Sequence, residues 1–288
     1  MKKGTTLRLL FPQWQGGVNP DYVFGAELLA AILPENSRDS LVKVRLEDDT
    51  IDDLVTENGI VGERVLLKQL QQVQTILQSQ QPEKVIVIGG DCSVSLGPFD
   101  YLKEIYQEKL GILWLDAHPD VAELKDSTHA HEMILANLLG KGSKNLLEQT
   151  GHFFAPSEVM LGGLVEESLR PMDQLVNKMP LRFVTPETLA RNSSPILEWL
   201  EAEKIEKLAI HFDLDVLSPE DFRSIYPAEP YLKSFDAAIG KMTLSQIGRI
   251  LTDVSELSEI VGLSITERLP WDAIRLRKTL EKVSIFKK

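Results

Sequence analysis

Eight short runs rich in Val, Ile and Leu punctuate this chain, at residues 6–11, 41–45, 84–88, 111–115, 158–161, 181–184, 207–214 and 260–265. Each has strand length and is nearly continuous in apolar residues, the pattern of strands covered on both faces. Segments with helical spacing lie between them. Leu66, Leu70, Val73 and Leu77 recur at intervals of four, three and four, one face of an amphipathic helix. Residues 133–139, 244–257 and 271–283 read as helical in the same way. Strands alternating with helices predict an α/β fold with a parallel sheet between helical layers. No linker rich in Gly, Ser or Pro and no internal repeat divides the sequence, so one domain over residues 1–288 is expected. Residues 218–241 form the longest stretch without periodicity, and a loop of that length is more often functional than incidental.

Composition narrows the partners. A formal net charge of −12, with no basic stretch to offset it, argues against a nucleic-acid surface. Met1-Lys2-Lys3 precedes an apolar run too short for the core of a signal peptide. No apolar stretch reaches the roughly 18 residues needed to cross a membrane. The single cysteine, Cys92, excludes an internal disulfide framework and fits a reducing compartment. A cytoplasmic protein is expected.

The chemistry gathers where apolar runs end. Asp116-Ala117-His118-Pro119-Asp120 follows the run at 111–115, and Asp213-Leu214-Asp215 closes the run that begins at Lys207. Positions i, i+2 and i+4 of a strand share one face, so Asp116, His118 and Asp120 are expected to point together, as are Asp213 and Asp215. Four carboxylates and an imidazole repel or compete unless protons or cations intervene, which makes a divalent metal site the economical reading. The bland reading is a solvated turn at each strand end, with Asp213 and Asp215 capping it. Gly89-Gly90-Asp91-Cys92 and Thr266-Glu267 also follow apolar runs. In an open parallel sheet ligands gather at the carboxyl ends of strands, so four segments are delivered to one edge. Gly89-Gly90 lacks the rest of a phosphate-binding fingerprint and reads as a tight turn.

Four blocks, Gly89-Gly90-Asp91-Cys92-Ser93, Asp116-Ala117-His118-Pro119-Asp120, Phe212-Asp213-Leu214-Asp215 and Ser264-Ile265-Thr266-Glu267, resemble the ordered signatures of the arginase/agmatinase (ureohydrolase) family. The resemblance runs from about Lys84 to Pro270. It implies a three-layer α/β/α domain with an eight-stranded, mostly parallel sheet, and a trimer or hexamer. It also implies a dinuclear manganese centre that hydrolyses C–N bonds of linear amidines in guanidino compounds. Carried over by residue, Asp116 and Asp213 bridge both ions, His118 and Asp215 complete one, and Asp120 with Cys92 completes the other. Two such ions lower the pKa of a shared water, giving hydroxide near neutral pH. Asp120 then orients that nucleophile. Glu267 matches the carboxylate that pairs with the guanidinium, and His131 the histidine that passes a proton to the leaving amine.

The departures from the family are specific. A histidine normally stands where this chain has Cys92, and a thiolate favours Zn, Fe or Co over Mn, with Ni also tolerated by imidazole. Ser218-Pro219 replaces an Asp-Pro, and Tyr226-Pro227-Ala228-Glu229-Pro230 replaces a Gly-Thr-rich segment. The Asn and Ser-x-Asn that hold the α-carboxylate and α-amine of arginine are missing from residues 121–128, so L-arginine is not the expected substrate. A formimidoyl compound is the other substrate class. Two alternatives stand beside the hydrolase: a ligand-binding protein of this fold without catalysis, and an enzyme with one ion. His211 reads either as a hydrogen-bonded core histidine or as a partner fixing Asp120 or Asp213.

Overall fold

A computed structural model describes residues 5–34, 36 and 39–286; Met1-Lys2-Lys3 lies outside the described residues. The first third of the chain forms β1 (Thr6–Phe11), α1 (Asp21–Ile32), β2 (Ser40–Lys43), β3 (Thr56–Glu57), β4 (Ile60–Val61), α2 (Glu63–Gln80) and β5 (Lys84–Gly89). The middle forms α3 (Leu96–Tyr106), β6 (Leu110–Leu115), α4 (Ile134–Leu138), α5 (Lys144–Gln149), β7 (Val159–Gly162), α6 (Leu175–Lys178) and β8 (Arg182–Val184). The last third forms α7 (Pro186–Leu189), α8 (Ser194–Glu203), β9 (Lys207–Asp213), α9 (Leu244–Leu257), β10 (Glu259–Thr266) and α10 (Trp271–Leu280).

All eight apolar runs become strands of one sheet, in the order β2-β1-β5-β10-β9-β6-β7-β8. Every neighbouring pair in it is parallel. The short antiparallel pair β3–β4 stands apart. Side-chain alternation divides the strands between two cores. Leu7, Leu9, Val85, Val87, Ile112, Trp114 and Ala209 pack with the apolar stripe of α2 (Leu66, Leu70, Val73, Leu77) and with Phe99 and Leu102 of α3. Leu10, Ile88, Leu113, Leu115, Leu208, Ile210 and Phe212 face the other way, onto Leu29 of α1, Trp199 of α8 and Ile250 and Val254 of α9. This is the α/β/α sandwich expected, and truncating one of these buried leucines costs about 2–5 kcal/mol.

Boundaries and several helices differ from the sequence reading. The run at 207–214 ends as a strand at Asp213, because Leu214 enters a 3-10 turn (Leu214–Val216). The helical reading at 133–139 divides into a 3-10 turn (Ala130–Met133) and α4, and the one at 271–283 ends at Leu280. α3 and α8 carry Pro98 and Pro195 in their first turns, where a missing N–H costs nothing. α1 (Asp-Tyr-Val-Phe-Gly-Ala-Glu-Leu-Leu-Ala-Ala-Ile) is apolar on most sides, so it shows no single stripe. Within residues 218–241 the only helix among the described residues is a 3-10 turn, Tyr226–Ala228. The four central strands, β5, β10, β9 and β6, all end at one edge, and the site lies there.

Candidate metal centre

β6 ends at Leu115, so Asp116, His118 and Asp120 stand on irregular chain beyond it and strand alternation does not orient them. A tight turn does. Asp116 Oδ1 accepts from the His118 N–H at 2.6 Å, folding the two side chains back toward each other. His118 Nδ1 then sits 3.3 Å from Asp116 Oδ1 and 3.1 Å from Asp215 Oδ2. Asp120 adopts a left-handed backbone (φ 48°), and so does Glu267 (φ 61°). Such conformations cost a non-glycine residue about 1–2 kcal/mol and collect at functional sites.

Asp213 is both cap and site residue. Its Oδ1 accepts from Asp215 N at 2.7 Å, while Oδ2 accepts from Thr266 Oγ1 at 3.1 Å and from the Cys92 thiol at 2.9 Å. Cross-strand register explains these contacts, because Thr266 pairs with Asp213, and Ser264 with His211, across β10 and β9. Gly90 is required for a different reason. A Cβ there would lie 1.8 Å from the Gln13 carbonyl oxygen, where the chain after β1 crosses the end of β5. Asp91 caps the next turn, accepting from Gly17 N and Ser93 N.

The side chains form three overlapping groups, within each of which the ligand atoms lie within 4.8 Å of one another. Asp116, His118 and Asp215 make one; Asp213, Asp215 and Glu267 another; Cys92, Asp116, His211 and Asp213 the third. Asp120 joins none of the three, although it is buried beside them. Buried atoms without hydrogen-bond partners include His118 Nε2, Asp120 Oδ2, His211 Nε2 and Asp215 Oδ1. His211, read from sequence as a core histidine or a supporting partner, thus stands inside a candidate ligand group. Its Nδ1 lies 2.8 Å from Ser95 Oγ and 3.1 Å from Ser264 Oγ.

Burial and mutual repulsion shape the charges. Burial, reinforced by the Asp215 charge, pushes Asp116 up to about 6. Asp120 and Asp213 are raised well above the carboxylate range, first by burial and then by neighbouring carboxylates. Burial opposes a charged His118, but Asp215 and Asp116 outweigh it and hold the imidazole protonated well above its ordinary range. The same His118 charge overcomes burial at Asp215 and holds that carboxyl low. Burial drives His211 down to about 3, keeping it neutral, and with Asp213 and Glu267 it pushes the Cys92 thiol well up. Without a cation, protons offset the repulsion. Hard carboxylate oxygens, imidazole nitrogens and partnerless buried atoms together fit a divalent cation.

A cavity of about 650 Å³ opens over this cluster. Glu267 and His131 line it, with Tyr226, Phe235 and Trp271 on one wall. Burial raises Glu267 to about 7, an effect that His131 opposes. His131 Nδ1 donates to the Gly16 carbonyl at 2.8 Å, which fixes the ring and leaves Nε2 as its other nitrogen. Tyr22 of α1 contacts Glu267 by a side-chain hydrogen bond and is held neutral, mainly by burial. Neither Tyr22 nor the aromatic wall sits in a motif, so nothing in the local sequence marks them. Only the length of the 218–241 loop hinted at part of the wall. The sequence-selected residues Cys92, Asp116, His118, Asp120, His131, Asp213, Asp215 and Glu267 all line this one cavity.

Fold and site together define a ureohydrolase-like α/β protein. A profile of the arginase family matches residues 26–271, and the chain belongs to that family. It is 26% identical to an arginase of Staphylococcus aureus over 140 residues, 46% of each chain. Against an arginase of Bacillus caldovelox it is 30% identical over 148 residues, 47% of this chain and 48% of the relative. The chain thus spans about half the length of the curated relatives it matches. Its fold superposes on the crystal structure of Entamoeba histolytica arginase in complex with L-ornithine with a TM-score of 0.76 at 18% identity, covering 94% of this chain and 92% of that one. Proclavaminate amidino hydrolase from Streptomyces clavuligerus gives a TM-score of 0.62 at 13% identity, with 92% and 82% covered. Among the described residues no helix is long and apolar enough to cross a membrane.

Proposed function

We propose that this chain is a divalent-metal-dependent hydrolase that cleaves a C–N bond of a guanidino or formimidoyl compound other than L-arginine. One observation carries the reading. Asp116, His118, Asp213, Asp215 and Glu267 are drawn from three strand ends into overlapping ligand groups at the floor of one cavity. Asp116, His118, Asp120, Asp213 and Asp215 are the proposed ligands, with manganese the first candidate and Zn, Fe, Co or Ni next. Bound divalent ions there supply Lewis acidity and make water acidic enough to ionise near neutral pH.

The protein's own groups complete the reaction. Glu267 offers two oxygens to a planar guanidinium, and that cation holds the carboxyl ionised despite its burial. His131, oriented by Gly16, delivers the proton that the departing amine needs as the C–N bond breaks and the water oxygen bonds to carbon. The products are an amine with urea, or an amine with formamide. Rejection of arginine is supported by residues 121–128, Val-Ala-Glu-Leu-Lys-Asp-Ser-Thr, which supply no asparagine. The similar proteins named arginase bear on the family, and this segment bears on the substrate. One domain, a cytoplasmic location and a trimer or hexamer are proposed with it; a stable monomer in sedimentation at micromolar concentration removes the last.

The decisive assay offers agmatine, guanidinobutyrate, guanidinopropionate, formimidoylglutamate and arginine, with Mn, Co, Ni and Zn in turn. Urea, ammonia or formamide release that a chelator abolishes is expected from a substrate other than arginine. No product with any pairing ends the proposal. A mononuclear or non-catalytic protein is the second reading, favoured by the protonated Cys92 thiol, and one ion or none per folded chain would establish it.

A further inference from the structure

We infer that His211 supplies the nitrogen ligand that the Gly-Gly-Asp-Cys segment lacks, while Cys92 stands beside it without ligating. The inference rests on the metal-dependent reading of the same site. One ring nitrogen of His211 lies within 4.8 Å of ligand atoms of Cys92, Asp116 and Asp213, all of them buried. The ring is fully enclosed, and its face stacks on Trp114 with centroids 3.7 Å apart and planes 15° apart. Trp114 in turn donates its Nε1–H to Asp116 Oδ2 at 3.1 Å, so one indole supports two members of the group.

Hydrogen bonding assigns the two nitrogens different tasks. Nδ1 is held between the Ser95 and Ser264 hydroxyls, and Nε2 has no partner. A core histidine kept for stability has both nitrogens satisfied, because leaving a buried polar atom unpaired is costly. A metal-binding histidine instead ties its distal N–H to an oxygen and leaves the other lone pair free. Nδ1–H donation to Ser95 Oγ produces that arrangement. Cys92 shows the opposite character: its Sγ donates to Asp213 Oδ2 at 2.9 Å and lies 3.5 Å from Glu267 Oε1. The Cys92 sulfur is thus already engaged with two carboxylates, whereas His211 offers a nitrogen that nothing engages. Cys92 follows β5 and His211 lies on β9, on either side of β10, so each reaches the same point from its own strand.

Metal content and cobalt absorption test this. Wild-type protein loaded with Co(II) and washed is expected to hold two ions per chain with no thiolate-to-cobalt charge-transfer band in the near ultraviolet. Cys92→Ser is expected to keep both ions. His211→Asn, whose amide replaces the Nδ1 hydrogen bonds, is expected to fall to one. If His211→Asn does not fold, His211→Gln answers instead, and it is expected to hold one ion, two ions overturning the inference. The inference is overturned by a strong thiolate band in the wild type, by loss of an ion in Cys92→Ser, or by an unchanged count in His211→Asn. A folded wild type that binds no ion sinks the hydrolase reading itself. Two ions retained in both single variants sink only the role of His211.

Discussion

The two sides of the centre solve the same electrostatic problem with different materials. On the β6 side, His118 bridges Asp116 and Asp215 at 3.3 and 3.1 Å and keeps some contact with solvent. On the β5–β9 side, Cys92 and His211 are buried, and a thiol donates where the family normally has an imidazole. The first side is an accessible, proton-bridged set of hard ligands. The second is dry, softer, and positioned by a tryptophan and two serines. One centre can thus tolerate a changed ligand where a strand two positions away in the sheet places another donor at the same point. The first side depends on one short turn.

Asp116 belongs to ligand groups on both sides, so its loss gives the largest effect. Asp116→Ala is expected to lose both ions by elemental analysis and to lower activity well beyond the roughly 10- to 100-fold cost typical of outer supporting residues. A variant that keeps one ion would show that the two sides bind independently, which breaks the comparison at its shared residue. His118→Asn comes next. It strikes one side only, so one ion per chain is expected to remain, with metal affinity on that side down by more than the roughly 10- to 100-fold typical of supporting residues. Loss of both ions would mean that the dry side cannot hold a cation alone.

How much of this was legible follows from the range of each interaction. Asp116, His118, Asp213 and Asp215 stand beside the apolar runs that deliver them, so local pattern was enough to find them. The reason they converge was misplaced, since Asp116 and His118 meet through a turn beyond β6 and not through strand alternation. His211 could be read two ways because its partners are remote, with Ser95 116 positions and Ser264 53 positions away. Only the order of β5, β10 and β9 brings them together. Tyr22 was invisible for the same reason, being a helix residue carried to Glu267 by packing alone. Pro98 and Pro195, read locally, hide helices that carry them in their first turns.

Proton balance gives an effect of moderate size that contrasts the metal-free and loaded protein. Without metal, Glu267 rises to about 7 and Asp116 to about 6, both above their ordinary values. A raised folded-state pKa stabilises most below the unfolded value near pH 4, and that contribution is lost as pH climbs through 6 to 7. His118 adds the same sign at higher pH, whereas Asp215, held low, loses its contribution only in stronger acid. Chelated protein is therefore expected to melt higher at pH 5 than at pH 8, by about 2–4 °C for each kcal/mol involved. Manganese should reverse the slope, because ligands must shed protons to bind. A flat profile in chelated protein would show that the carboxylates are less enclosed than their burial implies.

The smallest expected effect lies at the edge of the dry side, where Tyr22 meets Glu267. Both residues are buried, and the tyrosine hydroxyl, held neutral by burial and by the Glu267 and Asp213 charges, acts as donor to the Glu267 carboxylate. That hydrogen bond is one of the few influences lowering the Glu267 pKa against burial and the Asp215 charge. Tyr22→Phe removes one hydroxyl and keeps the ring that packs with Trp14, Leu269 and Trp271. Folding and ion count are therefore expected to stay at wild-type values. The loss of a charge-assisted hydrogen bond is worth about 1.5–3 kcal/mol at most, and solvent entering the cavity recovers part of it. A drop in kcat/KM of roughly 10-fold is expected, larger at pH 6 than at pH 9, because Glu267 then ionises later. A drop independent of pH would mean that Tyr22 shapes the cavity without tuning the carboxylate. A lost ion would move Tyr22 from the substrate side of the centre to its metal side.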